Sequence, residues 1–311
     1  MSDKKLAYTK IGSFISELIK KPIIDILKKY GKLFLVGGAI RSLLGDETPK
    51  DIDLFIETPY MNEYVDMVNM LEKNGYIVNT FLKRDYDKFL LNNLLMISIK
   101  YQDFDYDIVM GESIAERNID FDVNSMYCLI EEHDITLLHY KDGKSKVLDD
   151  EDFNTLMENI KNKQMNPKFT IEDLEKNKGT IHGAGHMLKR FAKRINHGWN
   201  LVNSPNNIAI AVFMLENTHT NMYIRQRDKR ETRVALVNLM KYLMNNNYDL
   251  KSFVDQKNWN VGSNRIIDPD YKKWWFSDVL NNVANKKLFD FNECMKLMEY
   301  CGIKYVKWEN Y

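Results

Sequence analysis

Asp51 and Asp53 stand two residues apart in DIDLFIE (51–57). In a strand, alternate side chains share a face, so the two carboxylates project together while Ile52, Leu54 and Ile56 point into a core. Side-by-side carboxylates repel unless a cation lies between them. A divalent ion such as Mg²⁺, which takes carboxylate and phosphate oxygen, suits that place. Fourteen residues upstream, Gly37-Gly38 interrupts LFLVGGAIRSLLG (33–45) between an apolar run and a short amphipathic stretch. Glycines without Cβ let backbone amides come close to a phosphate, and a following helix start adds unpaired N–H groups. Arg41 lies about one helical turn on and can face the same phosphates.

The elements that must position these groups are legible in outline. Apolar residues recur at helical spacing over 11–30, with an interruption at Pro22, and Lys32–Gly37 forms a first strand. A helix over 60–74 places Tyr64, Val68 and Leu71 on one face and closes at Asn74-Gly75. Strands are predicted at 76–82, 94–101 and 104–110, and a last one at 135–139 before the turn residues Asp142-Gly143. Residues 121–130 (FDVNSMYCLI) are apolar, and periodicity leaves strand and helix both open. Beyond residue 150 the strand signal nearly vanishes, and helices are predicted at 151–163, 184–197, 206–216, 229–245, 275–285 and 290–301. A connecting segment at 164–182 contains Pro167 and Gly179. The layout is α+β: a mixed-sheet head over 1–150, a helical neck over 151–205 and a helical body over 206–311.

Composition sets further bounds. The 311 residues balance 44 basic against 44 acidic side chains, but unevenly. Residues 1–155 carry 19 Lys and Arg against 28 Asp and Glu, a net −9, and residues 156–311 carry 25 against 16, a net +9. An acidic front suits a metal ion and a basic rear suits a polyanion. No apolar run approaches the roughly 20 residues of a membrane helix, and MSDKKLAYTK lacks a signal-peptide core. Cys128, Cys294 and Cys301 have no metal-type spacing and read as reduced thiols. A cytoplasmic protein without membrane contact is expected.

The order strand, Gly-Gly, helix with Arg, loop, Asp-x-Asp strand resembles the DNA polymerase β-like nucleotidyltransferase superfamily. More closely, it is similar to the head of class II tRNA nucleotidyltransferases (CCA-adding enzymes) and bacterial poly(A) polymerases. That signature, Gly-Gly-x-Val-Arg-Asp-x-Leu-Leu-Gly, stands here as Gly37-Gly38-Ala39-Ile40-Arg41-Ser42-Leu43-Leu44-Gly45, with Ser42 in place of the aspartate. A third family carboxylate maps to FDYDIV (104–109), where Asp107 fits and Asp103 and Asp105 share its face. Arg-Arg-Asp-Phe-Thr-Ile-Asn-Ala-Met maps to Asp120-Phe121-Asp122-Val123-Asn124-Ser125-Met126, with Ile119 before Asp120 and Arg117 the nearest arginine.

The resemblance covers residues 30–150 and implies a palm-type sheet. It implies a two-metal Mg²⁺ site at Asp51, Asp53 and Asp107, with the donor triphosphate (ATP, with CTP as the alternative) held by Gly37, Gly38, Arg41, Arg117, Asp120 and Asn124. The implied reaction adds AMP or CMP to an RNA 3′ end, that of tRNA above all, and releases pyrophosphate. The same head could instead modify a hydroxyl of a protein or small molecule, and a catalytically silent RNA-binding protein is a third reading. The family's base-reading Glu-Asp-x-x-Arg is matched only by Glu172-Asp173, since Lys176 stands where the arginine would be.

In the rear half, Lys189, Arg190, Lys193 and Arg194 lie at helical spacings and form a basic patch for RNA. Arg225, Arg227, Lys229, Arg230 and Arg233 make a second cluster, and Trp199, Tyr223, Trp274 and Trp275 could stack on bases. His182 and His186 have i, i+4 spacing but no HExxH context, and read as structural or solvent-facing.

Overall fold

The structure is a computed structural model. It describes residues 3–80, 95–101, 104–114, 119–131, 135–141, 144–176, 184–195, 197–217, 229–256 and 270–308. The chain divides into two compact units, Met1–Lys168 and Phe169–Tyr311.

The first unit is built on an eight-stranded mixed sheet in the order β3-β4-β5-β2-β1-β6-β7-β8. Its strands are β1 (Lys32–Val36), β2 (Asp51–Glu57), β3 (Ile77–Thr80), β4 (Leu95–Tyr101), β5 (Phe104–Gly111), β6 (Met126–Leu129), β7 (Leu138–Lys141) and β8 (Lys144–Val147). β2 and β5 are parallel; the other neighbouring pairs are antiparallel. The central strands are apolar on both faces, as strands covered on both sides must be. On one face Phe34, Val36, Phe55, Ile114 and Tyr127 cluster, with the Phe34 and Tyr127 rings edge-on at 6.0 Å. Ile52, Leu54, Ile56, Tyr106 and Ile108 are buried from the other face.

The helices follow from apolar spacing and punctuation. Ala7, Ile11, Ile15 and Leu18 are the buried stripe of α1 (Asp3–Ile19), which starts earlier than the predicted residue 11 because Ala7 extends the stripe by one turn. Pro22 opens α2 (Pro22–Leu27), where its missing N–H does no harm. α3 (Gly38–Leu44) links β1 to β2, and α4 (Tyr64–Lys73) buries Tyr64, Met67 and Leu71. The Asp149 carboxylate caps α5 (Asp150–Lys161) by accepting from Asp152 N at 2.8 Å. Residues 151–168, predicted to begin a neck, belong by their contacts to this first unit.

One element that periodicity leaves open is settled, and one differs from expectation. Residues 121–130 divide into a 3₁₀ turn at Asp122–Asn124 and strand β6. The last strand is not 135–139 but the β7–β8 hairpin, in which Lys141 is paired with Lys144. β8 reads KSKV and is exposed throughout, so it carries no apolar alternation, and its lysines suit a sheet edge.

The second unit is helical: α6 (Ile171–Lys176), α7 (Ala184–Ile195), α8 (Pro205–Asn217), α9 (Lys229–Asn245), α10 (Leu250–Val254), α11 (Tyr271–Asn285) and α12 (Phe291–Tyr300). α9 is its axis and packs against α7, α8, α10, α11 and α12. Leu236, Leu239, Met240, Leu243, Phe253, Phe276 and Leu280 are fully enclosed. Asp249 and Asp290 cap α10 and α12 through Ser252 N and Glu293 N, both at 2.9 Å. Among the described residues no helix is long and apolar enough to cross a membrane. The fold is α+β, with a large mixed sheet in the first unit and helices in the second.

Candidate active site

The parallel pairing of β2 and β5 places Asp51 opposite Asp105 and Asp53 opposite Asp107. Asp51, Asp53 and Asp107 are half-buried, and one oxygen from each lies within 4.8 Å of the others. Asp105 is exposed and outside that group, so the carboxylate that joins the Asp-x-Asp pair is Asp107. Three anionic hard-oxygen donors converging at this spacing match what Mg²⁺ takes, and their mutual repulsion disfavours the site without a cation. The donor set fits the ion.

Gly37 and Gly38 shape the rim in two different ways. Gly37 ends β1 with φ 61° and ψ −115°, a conformation that side chains disfavour, while its N–H donates to Met126 O at 3.1 Å. Gly38 N donates to Asp53 Oδ2 at 3.1 Å. A Cβ on Gly38 would lie 2.9 Å from that same oxygen and 3.5 Å from Arg41 Nη2. The second glycine therefore permits the close approach that orients Asp53 toward its partners.

Arg41, one turn along α3, donates from Nη1 to Asn124 Oδ1. Asn124 Nδ2 in turn donates to Asp120 Oδ1 at 2.6 Å, and that oxygen also accepts from Phe121 N at 2.9 Å. Asp120 and Asn124 are buried and Arg41 is half-buried. The guanidinium is thus held by an amide whose own orientation a carboxylate fixes. Ser42 is half-buried on the same helix.

Six of the nine residues predicted for nucleotide and metal binding — Asp53, Asp107, Gly38, Arg41, Asp120 and Asn124 — are linked by contact or strand pairing around β2, and Asp51 and Gly37 adjoin them. Arg117 lies outside the described residues. In the second unit Arg190 and Lys193 are exposed on α7, Arg194 is half-buried, and Lys189 lies on the same helix. Arg230 is exposed on α9, whereas Arg233 is ion-paired to Asp278 at 3.3 Å. Arg225, Arg227, Tyr223 and His182 lie outside the described residues, and His186 falls within α7. Trp199 is buried and belongs to the core rather than to a stacking surface; Trp274 is exposed and Trp275 packs edge-on against Phe276 at 4.9 Å.

Burial pushes the Cys128 and Cys301 thiols up to about 12 and that of Cys294 to about 11. None supplies a thiolate nucleophile near neutral pH.

Asp122, within 120–126, is also buried, and its Oδ2 accepts from the side-chain amides of Asn159 and Asn166, both at 2.9 Å; nothing in composition or spacing marks either asparagine.

No protein-family model and no curated protein matches the chain. Among solved structures it is similar to a tRNA-processing enzyme in an apo form, at 15% identity and a TM-score of 0.47, covering 92% of this chain and 74% of that one. It is also similar to a CCA-adding enzyme in complex with CTP, at 12% identity and a TM-score of 0.46, covering 95% and 70%. The Thermotoga maritima CCA-adding enzyme complexed with tRNA gives 11% identity, a TM-score of 0.46 and the same two coverages.

Proposed function

We propose that this chain is a Mg²⁺-dependent, template-independent nucleotidyltransferase that adds AMP or CMP from a nucleoside triphosphate to the 3′ end of an RNA, with tRNA the favoured acceptor. The observation that carries the reading is the convergence of Asp51, Asp53 and Asp107 beside the Gly37-Gly38 turn and the Arg41–Asn124–Asp120 chain.

Asp51, Asp53 and Asp107 would hold the metal. A divalent ion bound there neutralises the triphosphate and lowers the pKa of the attacking hydroxyl. Gly37 makes the turn into α3 and Gly38 lets Asp53 come close to it beside the donor site, and Arg41 offers guanidinium donors to phosphate oxygens. Asn124 and Asp120 fix the Arg41 side chain before the donor arrives, so little reorganisation is needed when it binds. The RNA 3′-hydroxyl gives up its proton to solvent, its oxygen forms a bond to the α-phosphorus as the bond from that phosphorus to the oxygen bridging to the β-phosphorus breaks, and pyrophosphate leaves. The chain contributes positioning and charge rather than a covalent intermediate. Arg190, Lys193, Arg194 and Lys189 on α7 are the proposed RNA contacts, through phosphates. In this reading residues 1–150 act as the catalytic head, 151–205 as a neck whose first part, to residue 168, is packed into the head's unit, and 206–311 as the acceptor-binding body of a cytoplasmic enzyme.

The test is incubation with Mg²⁺, tRNA lacking its 3′ end and one labelled nucleoside triphosphate at a time. Extension with ATP or CTP is expected, and removal of Mg²⁺ with a chelator abolishes it. Label transferred to a protein or small molecule without RNA extension overturns the RNA acceptor in favour of another hydroxyl. Binding of RNA with no transfer to any acceptor overturns the enzyme reading.

A further inference from the structure

Asp122 is buried, at 7% exposure, yet it touches neither the carboxylate trio nor Arg41 in the contacts described above. Its carboxylate accepts four hydrogen bonds. Oδ1 takes Val123 N and Asn166 N, both at 2.8 Å, and Oδ2 takes Asn159 Nδ2 and Asn166 Nδ2, both at 2.9 Å. A buried carboxylate satisfied wholly by N–H donors is strongly directional, because each donor loses its partner if the group turns.

These bonds join three separate parts of the chain: the 3₁₀ turn Asp122–Asn124, helix α5 through Asn159, and the segment at 166–168. Backbone bonds tighten the same join. Asp122 N donates to Asn166 O and Lys168 N donates to Asp120 O, each at 2.9 Å, and Phe121 pairs with Pro167. The turn held this way carries Asn124, whose amide carbonyl accepts from Arg41 and whose amide N–H donates to Asp120.

We propose that Asp122 is a positioning residue of the nucleotide site: by anchoring the 3₁₀ turn to α5 and to residues 166–168, it sets where Asn124 holds the Arg41 guanidinium. This rests on the functional reading above, in which Arg41 receives the triphosphate.

The experiment is steady-state kinetics of Asp122→Asn in the RNA extension assay, with thermal unfolding followed in parallel. The substitution turns Oδ2 into an N–H₂ facing two amide donors. KM for the nucleoside triphosphate is expected to rise about 10-fold with kcat within about 2-fold, since a ground-state binding contact is displaced and the metal ligands are untouched. Asn159→Asp added to Asp122→Asn gives that new N–H₂ an acceptor, and KM is expected to return to within about 3-fold of wild type. Should Asp122→Asn fail to fold, Asn159→Ala removes one donor of the four, and a KM increase of about 3-fold is the expected reading. A lowered thermal midpoint with unchanged KM overturns the proposal and leaves Asp122 a fold-stabilising residue only. Wild-type protein that neither extends RNA nor binds Mg·ATP in calorimetry overturns the functional reading, and this inference with it.

Discussion

Asp53 and Asp122 belong to the same compact unit and are the same residue type, but their surroundings are opposed. Asp53 is half-buried, shares its oxygens' neighbourhood with two other carboxylates, and receives a backbone N–H from Gly38. Asp122 is buried with no carboxylate in the cluster around it and four N–H donors on its two oxygens. The first arrangement brings three anionic groups to one place, which suits a cation; the second brings four donors to one anionic group. Burial therefore does not by itself mark the chemically active carboxylate. The balance between acceptors and donors around it does.

The sharpest way to break this comparison is to remove each carboxylate in turn. Asp53→Ala is expected to lower kcat for RNA extension by about 10³-fold, because a ligand for transition-state charge stabilisation is lost. Its unfolding free energy in urea should change far less than that of Asp122→Ala, since relief of like-charge repulsion offsets the lost bond from Gly38 N. Asp122→Ala leaves four donors without their acceptor and is expected to lose about 3 kcal/mol of unfolding free energy. If Asp53→Ala destabilised the protein as much as Asp122→Ala, the distinction between a cation site and a satisfied anchor would fall. Gly38→Ala gives an intermediate effect. Its Cβ would meet Asp53 Oδ2 at 2.9 Å, so the carboxylate must turn away. Activity is expected to fall about 10- to 100-fold with less than about 1 kcal/mol of stability lost. Raising Mg²⁺ should recover part of it, which checks that the lesion lies in the metal ligands.

Which parts of this were legible in the sequence follows from the kind of signal each leaves. The Asp51/Asp53 pair shows itself by period-two alternation with Ile52, Leu54 and Ile56, all fully buried. Gly37-Gly38 shows itself because only glycine suits the φ of 61° and the space beside Asp53. Asp105 and Asp107 share a face of β5, and only the parallel register with β2, a contact between residues more than fifty apart, separates them. The same holds for the Asp122 cluster. Asn159 and Asn166 are polar residues in a helix and a loop, and nothing local announces that their amides converge on one carboxylate. The β8 strand was hidden for the opposite reason: an exposed edge of KSKV has no core side to pattern. Trp199 shows that an aromatic near basic residues in sequence can belong to the interior.

The second unit supplies a third case on the same scale. Lys272 on α11 is only 1% exposed. Its ammonium donates to Gln256 Oε1 at 2.9 Å and lies 3.5 Å from the centre of the Phe253 ring. Where Asp122 has four N–H donors, this charge is supported by an amide, a ring face and the charge of Glu216, and burial lowers its pKa to about 8. An unfolded lysine titrates near 10.4. Below pH 8 both states carry the proton and the cost of burying the charge is present in full. Between about 8 and 10.4 the unfolded state binds more protons than the folded one, so this group makes stability rise with pH over that window. Lys272→Met keeps the apolar stem, removes the buried charge, and is expected to stabilise the protein at pH 7 by about 1 kcal/mol. The thermal midpoint of the variant should lose the wild type's upward contribution between pH 8 and 10. A variant less stable than wild type at pH 7 would mean that Gln256, Glu216 and the Phe253 face hold the charge as fully as the four donors hold Asp122.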